Sequence, residues 1–152
     1  RMMATYFRPG GLWRDLPAGF EEAVRAFMDH FPLEIKEYEG LLRKNPLWID
    51  RTKGVGVISA EQAVAWGVTG SSLRGSGVNW DIRKAIPYSA YDHFEFDVPL
   101  QTEGDVYARF WVRVQELWQS LRIIDQGLKK LPKGPFISDN RKVVPPPKEE
   151  LA

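Results

Sequence analysis

The chain has 152 residues, 43% of them hydrophobic, which is enough for one domain with a core of its own. Its 21 basic and 20 acidic side chains leave a formal charge of +1, so no global field recruits nucleic acid or an acidic membrane. It contains no cysteine, which excludes disulfides, thiolate catalysis, iron–sulfur ligation and cysteine-held zinc in this stretch.

In chain order, Arg1 to Phe7 reads as extended and is turned sharply by Arg8-Pro9-Gly10-Gly11. A helix is predicted next, with Asp15 as N-cap, Pro17 in the first turn, and Glu21 and Glu22 at its positive end. Phe20, Val24, Phe27, Phe31, Ile35, Tyr38 and Leu42 recur at steps of three or four. Pro32 interrupts that stripe and is expected to kink or divide the helix near Met28 to Phe31, and Asn45-Pro46 ends it. Leu47 to Ser59 predicts a helical turn and then a short strand over Gly54 to Ile58. Ser59 with Gln62 forms a capping box for a short helix ending at Gly67.

Thr69 to Asp97 lacks a sustained period and reads as a long ordered loop, with a short strand at Phe94 to Val98. Then Tyr107, Phe110, Val114, Leu117, Leu121, Ile124, Leu128 and Leu131 alternate steps of three and four, the seam of a long helix that Asp105 can cap. After Pro132 the chain turns Pro- and Lys-rich, with Pro145-Pro146-Pro147 read as exposed polyproline.

The longest uncharged run, Gln62 to Leu73, is too short and too polar to span a bilayer, and Arg1-Met2-Met3 lacks a signal-peptide core. The expectation is a soluble intracellular domain. Six Trp, eight Phe and five Tyr are many for a domain this small, so some are expected to face partners.

Few motifs carry chemistry. Gly54-Val55-Gly56 lacks the third glycine of a dinucleotide loop, and Gly70 to Gly77 lacks the Lys-Ser/Thr ending of a phosphate cradle. His30 reads as a surface or boundary residue, and His93 has no partner at readable spacing. Arg74, Asp81, Arg83 and Lys84 bracket Trp80. That alternation of charge fits either a buried ion-pair lattice that fixes a loop or a contact with a partner subunit or cofactor surround.

Four runs together resemble a known family. They are Tyr6-Phe7-Arg8-Pro9-Gly10-Gly11 with Asp15-Leu16-Pro17, Leu73-Arg74-Gly75-Ser76-Gly77-Val78-Asn79-Trp80-Asp81-Ile82-Arg83-Lys84, Phe96-Asp97-Val98-Pro99, and Gln119-Ser120-Leu121-Arg122-Ile123-Ile124. Their order and spacing, from Arg1 to about Lys148, resemble the D subunit of NADH–quinone oxidoreductase, respiratory complex I. Trp118 departs from the family's pattern, which more often has a smaller or polar residue on that face.

The resemblance implies a mainly α fold (α+β with minor short strands), with long packed helices of an incomplete hydrogenase large-subunit-like domain. Residues 1–134 are then an internal segment of the quinone-site subunit, and 135–152 a Pro/Lys-rich extended connection. It implies a role in a membrane-associated translocase that carries electrons from NADH through iron–sulfur clusters to quinone and couples this to proton translocation. NAD and quinone binding belong to that complex. The expected partners are other peripheral-arm subunits, chiefly the iron–sulfur partner subunit and a C-subunit-like neighbour, with quinone, no nucleic acid, and membrane contact only through the complex. The expected location is peripheral, on the cytoplasmic side of the bacterial cell membrane (matrix side if organellar).

The resemblance assigns this stretch no catalytic residue, no metal and no bound cofactor. The family's quinone-site histidine, tyrosine and aspartate precede the matched stretch, and the [4Fe-4S] cluster belongs to the partner subunit. Met3 matches a position where many members carry a histidine near that cluster, and Arg8 is expected nearby as a fixed cation. Arg74, Trp80, Asp81 and Arg83 are expected as a structural ion-pair loop. The segment alone is not expected to be active. Alternatives are a segment of a related membrane-bound hydrogenase or ferredoxin- or deazaflavin-linked dehydrogenase, or a redox-inert interaction module.

Overall fold

A computed structural model describes residues 6–140, 142–144 and 146. Met3, Pro145 and Pro147 lie outside the described residues. The chain divides into two compact units, Arg1–Val24 with Leu131–Ala152, and Arg25–Lys130.

In the first unit, β1 (Phe7–Arg8) and β2 (Gly11–Leu12) form an antiparallel hairpin, with Phe7 opposite Leu12 and Arg8 opposite Gly11. Pro9 fixes its own φ, and Gly10 takes φ 87° to complete the turn. Gly11 also has a packing reason: a Cβ there would collide with the backbone of Phe136 and Ile137. That closeness lets the C-terminal stretch join the hairpin. Leu12 N–H donates to Phe136 O at 2.8 Å, and Ser138 N–H donates to Gly10 O at 2.8 Å. The Pro- and Lys-rich stretch is thus hydrogen-bonded to the hairpin where it passes residues 136–138.

The second unit, from Arg25, is helical, and its first helix starts within residues 20–24 of the first unit. Helix α1 (Phe20–Arg43) begins at Phe20, with Ala23 N–H bonded to Gly19 O. Asp15 does not cap it; its carboxylate accepts from Leu16 N–H. Pro32 lies inside the helix and does not divide it. Packing explains why, because apolar residues on both sides of the proline are held against one surface. Met28, Phe31 and Ile35 sit on Val114, Leu117 and Leu121, and that burial outweighs one lost backbone bond. The buried stripe is rotated from the predicted one. Met28 and Ile35 face the core, while Phe27 and Tyr38 are exposed. Where Tyr38 was expected inside, Glu39 accepts a bond from the indole N–H of Trp118 at 3.3 Å.

Helix α2 (Pro46–Thr52) is capped by Asn45, whose side chain accepts from Trp48 N–H at 3.3 Å, with Pro46 in its first turn. Helix α3 (Ala60–Ala65) has the complete Ser59–Gln62 capping box. Between them, Gly54 to Ile58 is not a strand. Its backbone is committed elsewhere: Val106 N–H donates to Val55 O, and Ile58 N–H to Gly104 O.

Residues 69–97 are not one loop. They contain α4 (Gly70–Arg74), α5 (Ile82–Ala85) and a 3₁₀ turn at Tyr91–His93. The expected strand at Phe94 to Val98 is also absent. Side-chain amides of the long helix take the place of a sheet partner. Gln126 both accepts from Glu95 N–H (2.9 Å) and donates to Glu95 O (2.6 Å), and Gln119 accepts from Asp97 N–H (2.9 Å).

Helix α6 (Val106–Lys129) starts at the N-cap Asp105, whose carboxylate accepts from Ala108 N–H at 2.7 Å. It buries two faces. The seam residues Val114 and Leu121 meet Ile35 of α1, Leu128 continues the buried seam, and Ala108 and Val112 are buried as well. Gly75, after α4, lies against this helix. A Cβ there would be 2.9 Å from Arg109 Cγ, so only glycine permits the approach.

Candidate functional site

The approach of α4 to α6 places Arg74 against Glu116. The Arg74 side chain is 7% exposed. Its Nη1 donates to Trp80 O at 3.1 Å, and its Nη2 pairs with Glu116 Oε1. Asp81, whose side chain is 3% exposed, lies 3.6 Å from Arg74 Nη1 and takes a two-pronged bond from Arg83: Nε to Oδ1 at 3.0 Å and Nη2 to Oδ2 at 2.6 Å. Oδ1 also accepts from Arg83 N–H at 3.0 Å, which makes Asp81 the cap of α5. One carboxylate therefore starts a helix, locks its own neighbour and meets the guanidinium of Arg74.

The electrostatics follow from this geometry. The hydrogen bond from the Arg83 side chain, with help from its backbone N–H and the Arg74 charge, holds the Asp81 carboxyl below the usual carboxylate range, although burial opposes it. Asp81 in turn raises Arg83 above the usual arginine value. Near neutral pH neither group exchanges a proton, so the arrangement supplies fixed charge and rigidity. Arg83 further rests over the Phe96 ring at 4.9 Å, tying the lattice to the buried Phe96 of the following stretch. One donor is left over: Arg74 Nε is buried and has no hydrogen-bond partner.

A cavity of about 490 Å³ opens on this lattice. Arg74, Asp81, Arg83 and Glu116 form its charged floor, and Trp80, Ile82 and Tyr88 its apolar wall. The structure thus brings Arg74, Trp80, Asp81 and Arg83 together and adds Glu116, which sequence reasoning missed. The available signal was its column: Ala108, Val112, Glu116 and Ser120 follow at steps of four, so an acid sits in line with two small apolar residues.

Arg8 lies elsewhere, exposed on β1, with its guanidinium 5.6 Å from the centre of the Trp13 ring. Arg14 approaches the same ring to 4.2 Å. His30 is exposed and meets Glu34 at 3.0 Å. His93 is exposed too, and its carbonyl accepts from Lys130 Nζ at 2.6 Å. Among the described residues no three His, Asp or Glu side chains cluster as metal ligands, and no helix is long and apolar enough to cross a membrane.

Comparison with known proteins adds the remaining finding. Residues 1–152 match the family described as "Respiratory-chain NADH dehydrogenase, 49 Kd subunit". The chain is 50% identical over 154 aligned residues to the NADH-quinone oxidoreductase D-subunit 2 of Roseiflexus sp., covering 99% of this chain and 37% of that protein. Similar matches are the D-subunit 2 of Chloroflexus aurantiacus (50% identical, 99% and 38%) and the D subunit of Citrifermentans bemidjiense (49% identical, 99% and 39%). The chain therefore spans less than two-fifths of the length of these relatives.

Proposed function

Because this chain belongs to the 49 kDa subunit family of respiratory-chain NADH dehydrogenase, we propose that it is part of the quinone-site subunit of an NADH–quinone oxidoreductase. The observation that carries this reading is the match along the whole chain, at about half identity, to proteins named as the D subunit of that enzyme. In this reading the segment is scaffold. It holds the walls of a site whose reacting groups lie on other polypeptide, while electrons pass from NADH through iron–sulfur clusters to quinone and protons are translocated by the complex.

The chain's own chemistry fits that division. With no cysteine it offers no thiolates to an iron–sulfur cluster, so a [4Fe-4S] cluster beside it would be held by the partner subunit. Arg8 is the residue we assign to the cluster's surroundings, where a fixed cation favours the form that has gained an electron. Met3, at the position of a family histidine, cannot bind a proton, so it should give the cluster no pH dependence. The partners are the iron–sulfur subunit and a C-subunit-like neighbour, on the cytoplasmic face of a bacterial membrane.

The test is a chimera in which residues 1–152 replace the matching stretch of a relative's D subunit. Assembly with inhibitor-sensitive NADH-to-quinone electron transfer is expected. A chimera that assembles but passes no electrons to quinone rejects the proposal. In the active chimera, Arg8→Met should lower the cluster's midpoint potential in a redox titration; an unchanged potential removes Arg8 from its surroundings.

A further inference from the structure

Helix α1 carries more apolar surface than α6 covers. Met28, Phe31 and Ile35 sit on α6, but a second row runs along the same helix: Phe27, Phe31, Glu34, Tyr38 and Leu41, at steps of four, three, four and three. Phe31 belongs to both rows and stacks on Phe27, with ring centres 4.7 Å apart. Phe27 is 47% exposed, Tyr38 52% and Leu41 61%. Scattered apolar residues at a surface need no explanation, whereas a row in heptad register does. Alternating steps of four and three are the knob spacing of a helix that meets another helix.

The row has a charge at its centre. Glu34 lies seven residues from Phe27 and seven from Leu41, with one carboxylate oxygen 3.0 Å from His30 Nε2 and its side chain 43% exposed. Glu37, one turn on, is exposed as well. That centre selects the occupant. A second copy of α1, laid in register either parallel or antiparallel, would set Glu34 against Glu34, a like-charge contact that opposes pairing. A wholly apolar helix would bury the carboxylate without an opposite charge. We propose that the row from 27 to 41 docks a partner α-helix with apolar side chains at heptad spacing and a Lys or Arg facing Glu34. This stands on α1 alone and does not need the family reading.

The experiment uses the complete protein in its native assembly. Phe27 and Leu41 are replaced, one per sample, by the photo-crosslinking residue p-benzoylphenylalanine, and adducts are mapped by mass spectrometry. The two positions are fourteen residues apart, about 21 Å along a helix. Expected are two adduct sites about fourteen residues apart on one partner segment, with a Lys or Arg near their midpoint. Sites about six residues apart, the spacing of an extended chain over that distance, overturn the proposal. So do adducts to α1 of a second copy, a segment with no basic residue near the midpoint, or no adduct at all. Charge is tested separately. Glu34→Lys keeps a good helix former and should cut adduct yield at least about tenfold, with Glu34→Gln falling between it and the parent. Changing the facing Lys or Arg to Glu should restore the yield in Glu34→Lys. An unchanged yield in Glu34→Lys overturns the charge match.

Discussion

Along α6, order comes from repetition: apolar side chains return every three or four residues and bury against Met28, Phe31 and Ile35 of α1. Across residues 69–97, order comes from a few polar groups placed once each. Arg74 reaches forward to Trp80 O and across to Glu116, and Asp81 gathers Arg83 into a fork. The two regions therefore fail differently. A truncated seam loses area and contacts in proportion to what is removed, whereas a lattice that loses one member strands the charges it leaves behind.

The largest effect should follow from that asymmetry. Arg74→Met keeps much of the side-chain volume but leaves Asp81 with Arg83 alone and deprives Glu116 of its guanidinium. Loss of a buried partner costs about 3–5 kcal/mol. The check is the urea-unfolding midpoint followed by tryptophan fluorescence, and a loss below about 1 kcal/mol would place this pair with exposed ones. Ile35→Ala tests the other region. Ile35 is 1% exposed at the centre of the seam, so the truncation should cost about 3 kcal/mol from lost transfer energy and cavity. If it costs more than Arg74→Met, the contrast between the regions is wrong.

Asp105 joins the two modes. It caps α6 through Ala108 N–H and also accepts from Gly54 N–H at 2.7 Å, while 3% exposed. Asp105→Ala removes a cap and strands a second donor, a loss of about 2 kcal/mol. Asp105→Asn should recover about half, because one amide oxygen remains as an acceptor. Equal losses would make the carboxylate charge the dominant contribution.

These contrasts also explain what was legible in the sequence. The long helix was readable because its pattern repeats: Val114, Leu121 and Leu128 are buried where the seam put them. The Ser59–Gln62 box was readable because capping is local. Phe94 to Val98 misled because strand-like residues can find their hydrogen bonds on Gln119 and Gln126, which no local pattern encodes. Pro32 misled for the same reason, since packing against α6 keeps α1 whole. For the charged loop, Arg74, Asp81 and Arg83 are close in sequence and could be grouped. Glu116 is 42 residues from Arg74, and its pairing exists only after α4 meets α6.

Acid tests the lattice without mutation. Asp81 is depressed in the folded protein, chiefly by the Arg83 hydrogen bond. Its stabilising effect is present in full above the ordinary aspartate value of about 3.9 and is lost as pH falls through the lower folded value. Unfolding midpoints should decline from about pH 5 downward. Asp81→Asn should flatten that decline while lowering stability at neutral pH. A decline of the same steepness in Asp81→Asn would assign the acid sensitivity to other carboxylates.

The smallest effect should come from the same chemistry at the surface. Arg122 sits on α6 and pairs with Asp97 at 3.0 Å and Glu95 at 3.9 Å, on the stretch that Gln119 and Gln126 already hold. Its distances resemble those of the buried lattice. Its surroundings do not, because Arg122 is 45% exposed and Asp97 79%. Water screens these charges in the folded state and solvates them fully when the pair is broken, so little is stranded. Arg122→Met should therefore shift stability by about 0.5 kcal/mol or less, and that shift should shrink further in salt. A loss approaching that of Arg74→Met would mean that number of contacts, and not burial, sets the worth of an ion pair here. Both arginines reach from a helix to two carboxylates, and they differ in access to water and in the bond that Arg74 alone makes to Trp80 O.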